Sequence, residues 1–249
     1  ALIWFDKAEY AANAEWSPGG FGGGIYVGGS SVRHTDVHIN ENFASLAGGA
    51  IAIRPDSALN NADENGRTLL QEQSSTFIGN ESSATGNRVS RSIGVNKPSV
   101  DPSFVHGQEP ESGRGGGVIF SGTNYFLSGF RFYDNQAAGG GGAGTMTSSA
   151  GIMENCKFEM GRATHVQGGA IFVEESATTL ISRTLFMNNY AVGGGAIFVE
   201  VKTGKPTGLT LQASTFQGNT AGDGGSIFAI MDPALKFVIE NCTFTENSG

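Results

Sequence analysis

Glu174 and Glu200 are the carboxylates whose spacing invites chemistry, because each closes a copy of one heptapeptide. The copies are Gly168-Gly169-Ala170-Ile171-Phe172-Val173-Glu174 and Gly194-Gly195-Ala196-Ile197-Phe198-Val199-Glu200. If they stack as neighbouring β-strands, the two acids lie about 5 Å apart. Carboxylates held that close can share a Ca²⁺ ion or, by mutual repulsion, keep one proton for acid–base work. Glu175 adds a further acid, but the next copy carries Ile230 at that level, so the row stops after two. Solvated surface acids are therefore expected, with calcium as the alternative; no catalytic residue and no cofactor are assigned.

Three other groupings carry reactive side chains. His34, Asp36 and His38 alternate in sequence, which on a single strand would put all three on one face, as metal ligands require. No second set of ligands accompanies them, so a polar solvent face is expected. Cys156 and Cys242 each stand two residues before a repeat phenylalanine. Stacked repeats would hold them three levels apart, roughly 14 Å at a ~4.8 Å strand spacing, beyond the reach of a disulfide, which needs Cα atoms within about 7 Å. Inert thiols are expected. The tripeptides Asn80-Glu81-Ser82 and Asn241-Cys242-Thr243 are N-glycosylation sequons, relevant in a secreted eukaryotic chain.

The elements that must position these groups follow from the repeat itself. Its unit reads G-G-x-I, then about 15 to 20 residues, then F-x-x-N. Copies begin at Gly48, Gly116, Gly141, Gly168, Gly194 and Gly224, the later ones 25, 27, 26 and 30 residues apart. They lead to Phe77–Asn80, Phe132–Asn135, Phe158–Gly161, Phe186–Asn189, Phe216–Asn219 and Phe244–Asn247, with a degenerate early copy running from Gly23-Gly24-Ile25 to Ile39–Asn42. So short a unit cannot bury its own apolar face, and must share a core with its neighbours. Within it, β-branched and aromatic residues alternate with polar ones between Gly, Ser, Thr and Asn turns, a strand pattern. The fold class expected is all-β, a right-handed parallel β-helix. Phe132, Phe158, Phe186, Phe216 and Phe244 form an inward column. Thr184, Ser214 and Cys242 are also inward, while Arg131, Lys157, Leu185, Thr215 and Thr243 face out. Asn135, Asn189, Asn219 and Asn247 form an amide ladder at a turn whose left-handed conformation asparagine tolerates.

This pairing of G-G-A-[I/L/V] with F-x-x-N resembles the passenger repeats of chlamydial polymorphic outer membrane proteins, over about residues 20–79 and 116–249. The resemblance implies secretion to a cell surface and a part in adhesion or in building an outer layer, and implies no catalytic residues.

One domain, 1–249, is expected in four stretches. Residues 1–20 are a cap or docking segment, with Leu2, Ile3, Trp4 and Phe5 as a strand and a D-x-x-E capping box, Asp6 to Glu9, before a short helix from Tyr10 to Glu15. Residues 21–80 hold the first coils. Residues 81–115, rich in Ser, Asn, Pro and charge, form an inserted loop, the first place to expect specific recognition, with a simple unconstrained insertion as the alternative. Residues 116–249 hold the regular coils. The last F-x-x-N is not followed by another G-G, so the Phe244 coil is expected to meet either more solenoid or the 1–20 segment of a second copy, head to tail.

A net charge of −8 opposes binding to nucleic acid, and no apolar run is long enough for a membrane span. The function expected is that of an extracellular structural or adhesive solenoid with a surface glycan or protein as partner. The alternative is a β-helical polysaccharide lyase or hydrolase, which needs several carboxylates or Ca²⁺ beside a Lys or Arg base; charged residues make up only 15% of the chain. Ice binding would need an unbroken threonine row, and Thr76, Thr215 and Thr243 are interrupted by Arg131, Lys157 and Leu185.

Overall fold

The computed structural model describes residues 2–6, 9–11, 24–28, 31–44, 48–54, 61–62, 68–69, 75–80, 83–85, 88–89, 115–164, 167–174, 177–201, 207–230 and 235–249. The chain winds as a parallel β-solenoid with four sheets running along its axis. The first has eight strands: Leu2–Asp6, Ser31–Thr35, Ser75–Asn80, Thr123–Ser128, Ala150–Glu154, Thr178–Ser182, Thr207–Gln212 and Leu235–Glu240. The second also has eight: Glu9–Ala11, His38–Asn40, Ser83–Thr85, Arg131–Tyr133, Lys157–Glu159, Leu185–Met187, Thr215–Gln217 and Thr243–Thr245. A third sheet has four two-residue strands, Phe43–Ala44, Arg88–Val89, Gln136–Ala137 and Arg162–Ala163, and is carried on by single bridges through Tyr190, Thr220 and Ser248. The fourth has seven: Ile25–Gly28, Ile51–Arg54, Val118–Ser121, Gly144–Thr147, Ile171–Glu174, Ile197–Glu200 and Ile227–Ala229. No helix among the described residues is long and apolar enough to cross a membrane.

Register explains why one residue type recurs at one place. Phe132 pairs with Phe158, then Phe186, Phe216 and Phe244. Their rings stack at 4.7, 4.9, 4.7 and 4.7 Å, within 8° of parallel. Phe132, Phe158, Phe186 and Phe216 are fully buried, whereas Phe244, in the last rung, is 45% exposed because its outer ring face has no neighbour. A second aromatic column, Phe172–Phe198–Phe228, has ring centres 5.4 and 5.3 Å apart, the first pair tilted by 40° and the second stacked. Strand alternation puts it on the opposite side of the fourth sheet from Ile171 and Val173, which belong to the core. The glycine-rich links lie against it: a Cβ on Gly140 would come 3.3 Å from Phe172. Across Ala52, Ile119, Thr145, Phe172 and Phe198 the outer side of the fourth sheet is thus buried as well, whereas Tyr26 on its first strand is 54% exposed.

Each corner of a coil is set by one left-handed residue. Asp36, Gly129, Asn155, Arg183, Ala213 and Asn241 hold it between the first and second sheets; Asp134, Met160, Asn188, Gly218 and Glu246 hold it after the phenylalanine strand. In F-x-x-N the left-handed residue is therefore the one before the asparagine. The asparagine itself turns inward to feed the backbone, a correction to the sequence reading. At the third corner Gly194 takes φ 61°, and Gly195 packs so tightly that a Cβ would stand 2.1 Å from the Gly225 carbonyl.

Three boundaries differ from expectation. Glu9–Ala11 is a strand paired with His38–Asn40, and Leu2–Asp6 pairs with Ser31–Thr35, so these segments form the first rung. Ladder hydrogen bonding outweighs the local capping signal, and the expected helix is absent at Tyr10 and Ala11; residues 12–15 lie outside the described residues. The inserted loop begins later than residue 81, since Ser83–Thr85 and Arg88–Val89 continue the second and third sheets. Ala84, not Phe77, pairs with Phe132 in the second sheet, while Phe77 pairs with Tyr125 in the first sheet. Phe77–Asn80 matches F-x-x-N by composition without its register, and Thr76, opposite Asn124, does not share the position of Thr215 and Thr243. A second excursion, between Arg54 and Ser75, contains an antiparallel hairpin of Asn61–Ala62 and Thr68–Leu69.

Close approach makes the glycines separable by experiment. Gly195→Ala drives a methyl into the Gly225 carbonyl and is expected to cost about 3 kcal/mol or more. Gly193→Ala, whose Cβ would meet nothing nearer than 3.6 Å, is expected to be neutral or to stabilise by up to about 1 kcal/mol. Urea midpoints of the two variants check the contrast.

Candidate functional site

The amide ladder is the most ordered polar feature. Asn189 Nδ2 donates to the Phe158 carbonyl at 3.0 Å and to Asn219 Oδ1 at 2.9 Å, and Asn219 Nδ2 donates likewise to the Phe186 carbonyl and to Asn247 Oδ1. Each Oδ1 also accepts a backbone N–H from the rung below: Asn189 N to Asn219, Asn219 N to Asn247 and Gly161 N to Asn189. Gly161 stands where an asparagine would be, and the ladder skips that rung.

Small inward side chains repeat the device at another corner. Thr184 Oγ1 donates to the Ser182 carbonyl and accepts from Cys156 N; Ser214 Oγ donates to the Gln212 carbonyl and accepts from Thr184 N. Cys156 and Cys242 are both free, Cys156 buried and Cys242 partly so. Burial pushes the Cys156 thiol up to about 12. Deeper in the core Tyr125 stacks on Phe120 at 4.5 Å, lies across Gly151 and shares a 2.6 Å hydrogen bond with Thr179 two rungs away. Desolvation raises the phenol's pKa. Cys156, Thr184, Ser214 and Tyr125 are structural, because each is buried away from water.

The carboxylates are arranged otherwise than expected. Glu174 and Glu200 do pair in register, but Glu174 is fully buried and accepts a 3.1 Å hydrogen bond from Thr147 Oγ1, its neighbour one rung below. The reading of both as solvated acids fails for Glu174, because the fourth sheet is covered on its outer side. Glu200 is half-buried. Asp36 sits at a left-handed corner between the strands that carry His34 and His38, so the three do not share one strand face; His38 Nε2 lies 3.5 Å from Asp36 Oδ1. Among the described residues no three His, Cys, Asp or Glu side chains are grouped as metal ligands.

Outward polar groups mostly bond along the axis, one rung to the next. Arg131 Nε donates to Glu159 Oε2 at 2.9 Å with its guanidinium 5.4 Å from the Tyr133 ring centre. Arg183 reaches Glu154 at 2.8 Å and Asn155 at 3.1 Å. Gln212 bonds Glu240, Gln217 bonds Glu246, and Thr220 shares a hydrogen bond with Ser248. Arg131 and Tyr133 are functional candidates that the repeat does not single out; their signal is charge and aromaticity at x positions of x-F-x that in the last two rungs hold Thr or Gln. Of the sequons, Asn80 closes a first-sheet strand and its tripeptide continues outside the described residues, whereas Asn241 is exposed at a corner with φ 53°. The backbone of Leu2–Phe5 forms the first rung's strand; loop residues 90–114, the expected recognition site, lie outside the described residues.

The family described as the right-handed β-helix region matches residues 112–249, more than half of the chain. The metabotropic glutamate receptor-like protein R of Dictyostelium discoideum is 30% identical over 132 residues, which are 53% of this chain and 8% of that protein. The chain thus spans a small part of the relative's length. No solved structure matches it.

Two outcomes follow from the buried polar groups. Asn219→Ala strips partners from Asn189, the Phe186 carbonyl and Asn247 together and is expected to cost about 3 kcal/mol or more, against less than about 0.5 kcal/mol for exposed Thr220→Ala; chemical denaturation measures both. The folded-state pKa of Cys156 lies above its unfolded value, so the thiol's contribution is complete below about pH 9, declines as the unfolded chain ionises and is lost as pH rises through about 12. Iodoacetamide at pH 8 should modify Cys242 well before Cys156, and Cys156→Ser should flatten the alkaline fall in stability.

Proposed function

The chain belongs to the right-handed β-helix family, and from that premise we propose that it is a non-enzymatic scaffold displayed outside the cell, where it builds or binds a surface. The observation that carries this reading is the direction of its outer polar contacts. The carboxylates Glu154, Glu159, Glu240 and Glu246 each engage a side chain of an adjacent rung. They brace the column instead of converging on a point where a substrate bond could be held. Hydrolysis or elimination on a sugar chain needs an acid and a base aimed at one reacting centre.

Surface display draws support from the relative, whose name describes it as receptor-like. End-to-end continuation draws support from the last rung. Ile239 is 46% and Phe244 45% exposed although both occupy inward positions, and the strands Leu235–Glu240 and Thr243–Thr245 each have one neighbour. A further rung laid on this end would bury both side chains and pair both edges. Further rungs of the same solenoid would meet that need, as would a second copy presenting its Leu2–Asp6 edge, and the second copy is the occupant proposed.

Three measurements test the reading together. Antibody staining of intact, unpermeabilised cells carrying the gene should label the protein; an internal location overturns display. Polygalacturonate incubated with the protein, with or without calcium, should release no unsaturated or reducing ends; release that chelation abolishes would favour the lyase. Sedimentation at rising concentration should show end-on oligomers that Phe244→Lys removes, and a monomer throughout would sink the assembly part alone.

A further inference from the structure

The solenoid supplies its own control for what an outer position needs to carry, because the same backbone site recurs in every rung. In the last two rungs the outward residues flanking the phenylalanine column are Thr215 and Gln217, then Thr243 and Thr245, with Thr220 and Ser248 beyond the corner. All six are uncharged. In the three rungs of Phe132, Phe158 and Phe186 the same sites hold Arg131 and Tyr133, Lys157 and Glu159, and Leu185 and Met187, with Arg162 and Tyr190 beyond the corner. Tyr133 is 36% and Tyr190 50% exposed.

We propose that this face, across the Phe132, Phe158 and Phe186 rungs, docks a protein partner through a short acidic segment that also carries an aromatic or aliphatic side chain. Tyrosine, methionine and arginine are the residues enriched in protein interfaces, and tyrosine and arginine dominate their energetics. Arg131 is already held between the Glu159 carboxylate and the Tyr133 ring, so little side-chain freedom is lost when a partner arrives. Lys157 and Arg162 are exposed and have no ion pair among the described residues. These two charges of the Phe158 rung, one on the second sheet and one just beyond the corner on the third, are the recognition element that carboxylates would complete.

The molecule's overall charge decides between a short acidic segment and a long polyanion. Within a Debye length, about 8 Å at physiological salt, a short segment feels chiefly Lys157, Arg162 and their neighbours. A long polyanion must also pass over a molecule of net charge −8 and is repelled along the rest of its length. The face therefore favours a peptide over a nucleic acid or a polyuronate. The inference holds whether or not copies join end to end.

The test uses a short random glutamate–tyrosine copolymer, no longer than the three-rung face, as probe, with long-chain polygalacturonate beside it, in biolayer interferometry against the whole chain. The copolymer should bind, weaken as salt rises, and lose about tenfold or more in affinity when Lys157→Glu is combined with Arg162→Glu. Thermal melting by circular dichroism should show that this variant stays folded. The control pair Thr215→Glu with Thr220→Glu, at the same two sites two rungs up, should change binding by less than about twofold. The proposal is overturned by absence of copolymer binding, by equal losses in both pairs, by tighter binding of polygalacturonate, or by self-association that only the first pair abolishes, which would seat a second copy there.

Discussion

One spacing governs the molecule: the distance between hydrogen-bonded parallel strands, about 4.8 Å, is also a comfortable separation for offset aromatic rings. Phe132, Phe158, Phe186, Phe216 and Phe244 stack at 4.7 to 4.9 Å because the backbone ladder sets that interval and the rings accept it unstrained. Asparagine meets the same condition with its amide, donating up the ladder and back to a backbone carbonyl. A side chain that does not repeat at this interval spreads over several rungs, as Tyr125 does across Gly151 to Thr179.

Commensurate stacking also explains how the corners stay dry. A solenoid corner breaks strand geometry and leaves amides without a ladder partner, a cost that a buried turn cannot leave unmet. Hydroxyls at Thr184 and Ser214 and amides at Asn189 and Asn219 accept those N–H groups from the rung below. The left-handed residues beside them have only to turn the chain, so their identities vary from Ala213 to Arg183. Inward positions thus answer to the column, and outward ones are left to solvent, to bracing contacts along the axis, or to a partner.

Legibility in the sequence follows that division. The phenylalanine and asparagine columns could be read because each rung must repeat the one before it. Ala84 could not be found this way, since an alanine in that register carries no signature and the nearby Phe77 imitates one. The burial of Glu174 was equally hidden: a carboxylate closing an amphipathic-looking strand reads as solvated, and only the links packed over the fourth sheet reverse that. The pair Phe172 and Phe198 was visible as a repeat, but its place on the outer side of its sheet was not.

From the sequence alone came the coil, its period and the residues stacked inside it, because translation along an axis forces like onto like and local spacing is then enough. Tertiary structure decided which strand each early residue joins, which acids lose contact with water and where Arg131, Tyr133, Lys157 and Arg162 gather. Those depend on register between segments joined through excursions of unequal length and on the covering of one sheet by distant links. No periodicity along the chain encodes either.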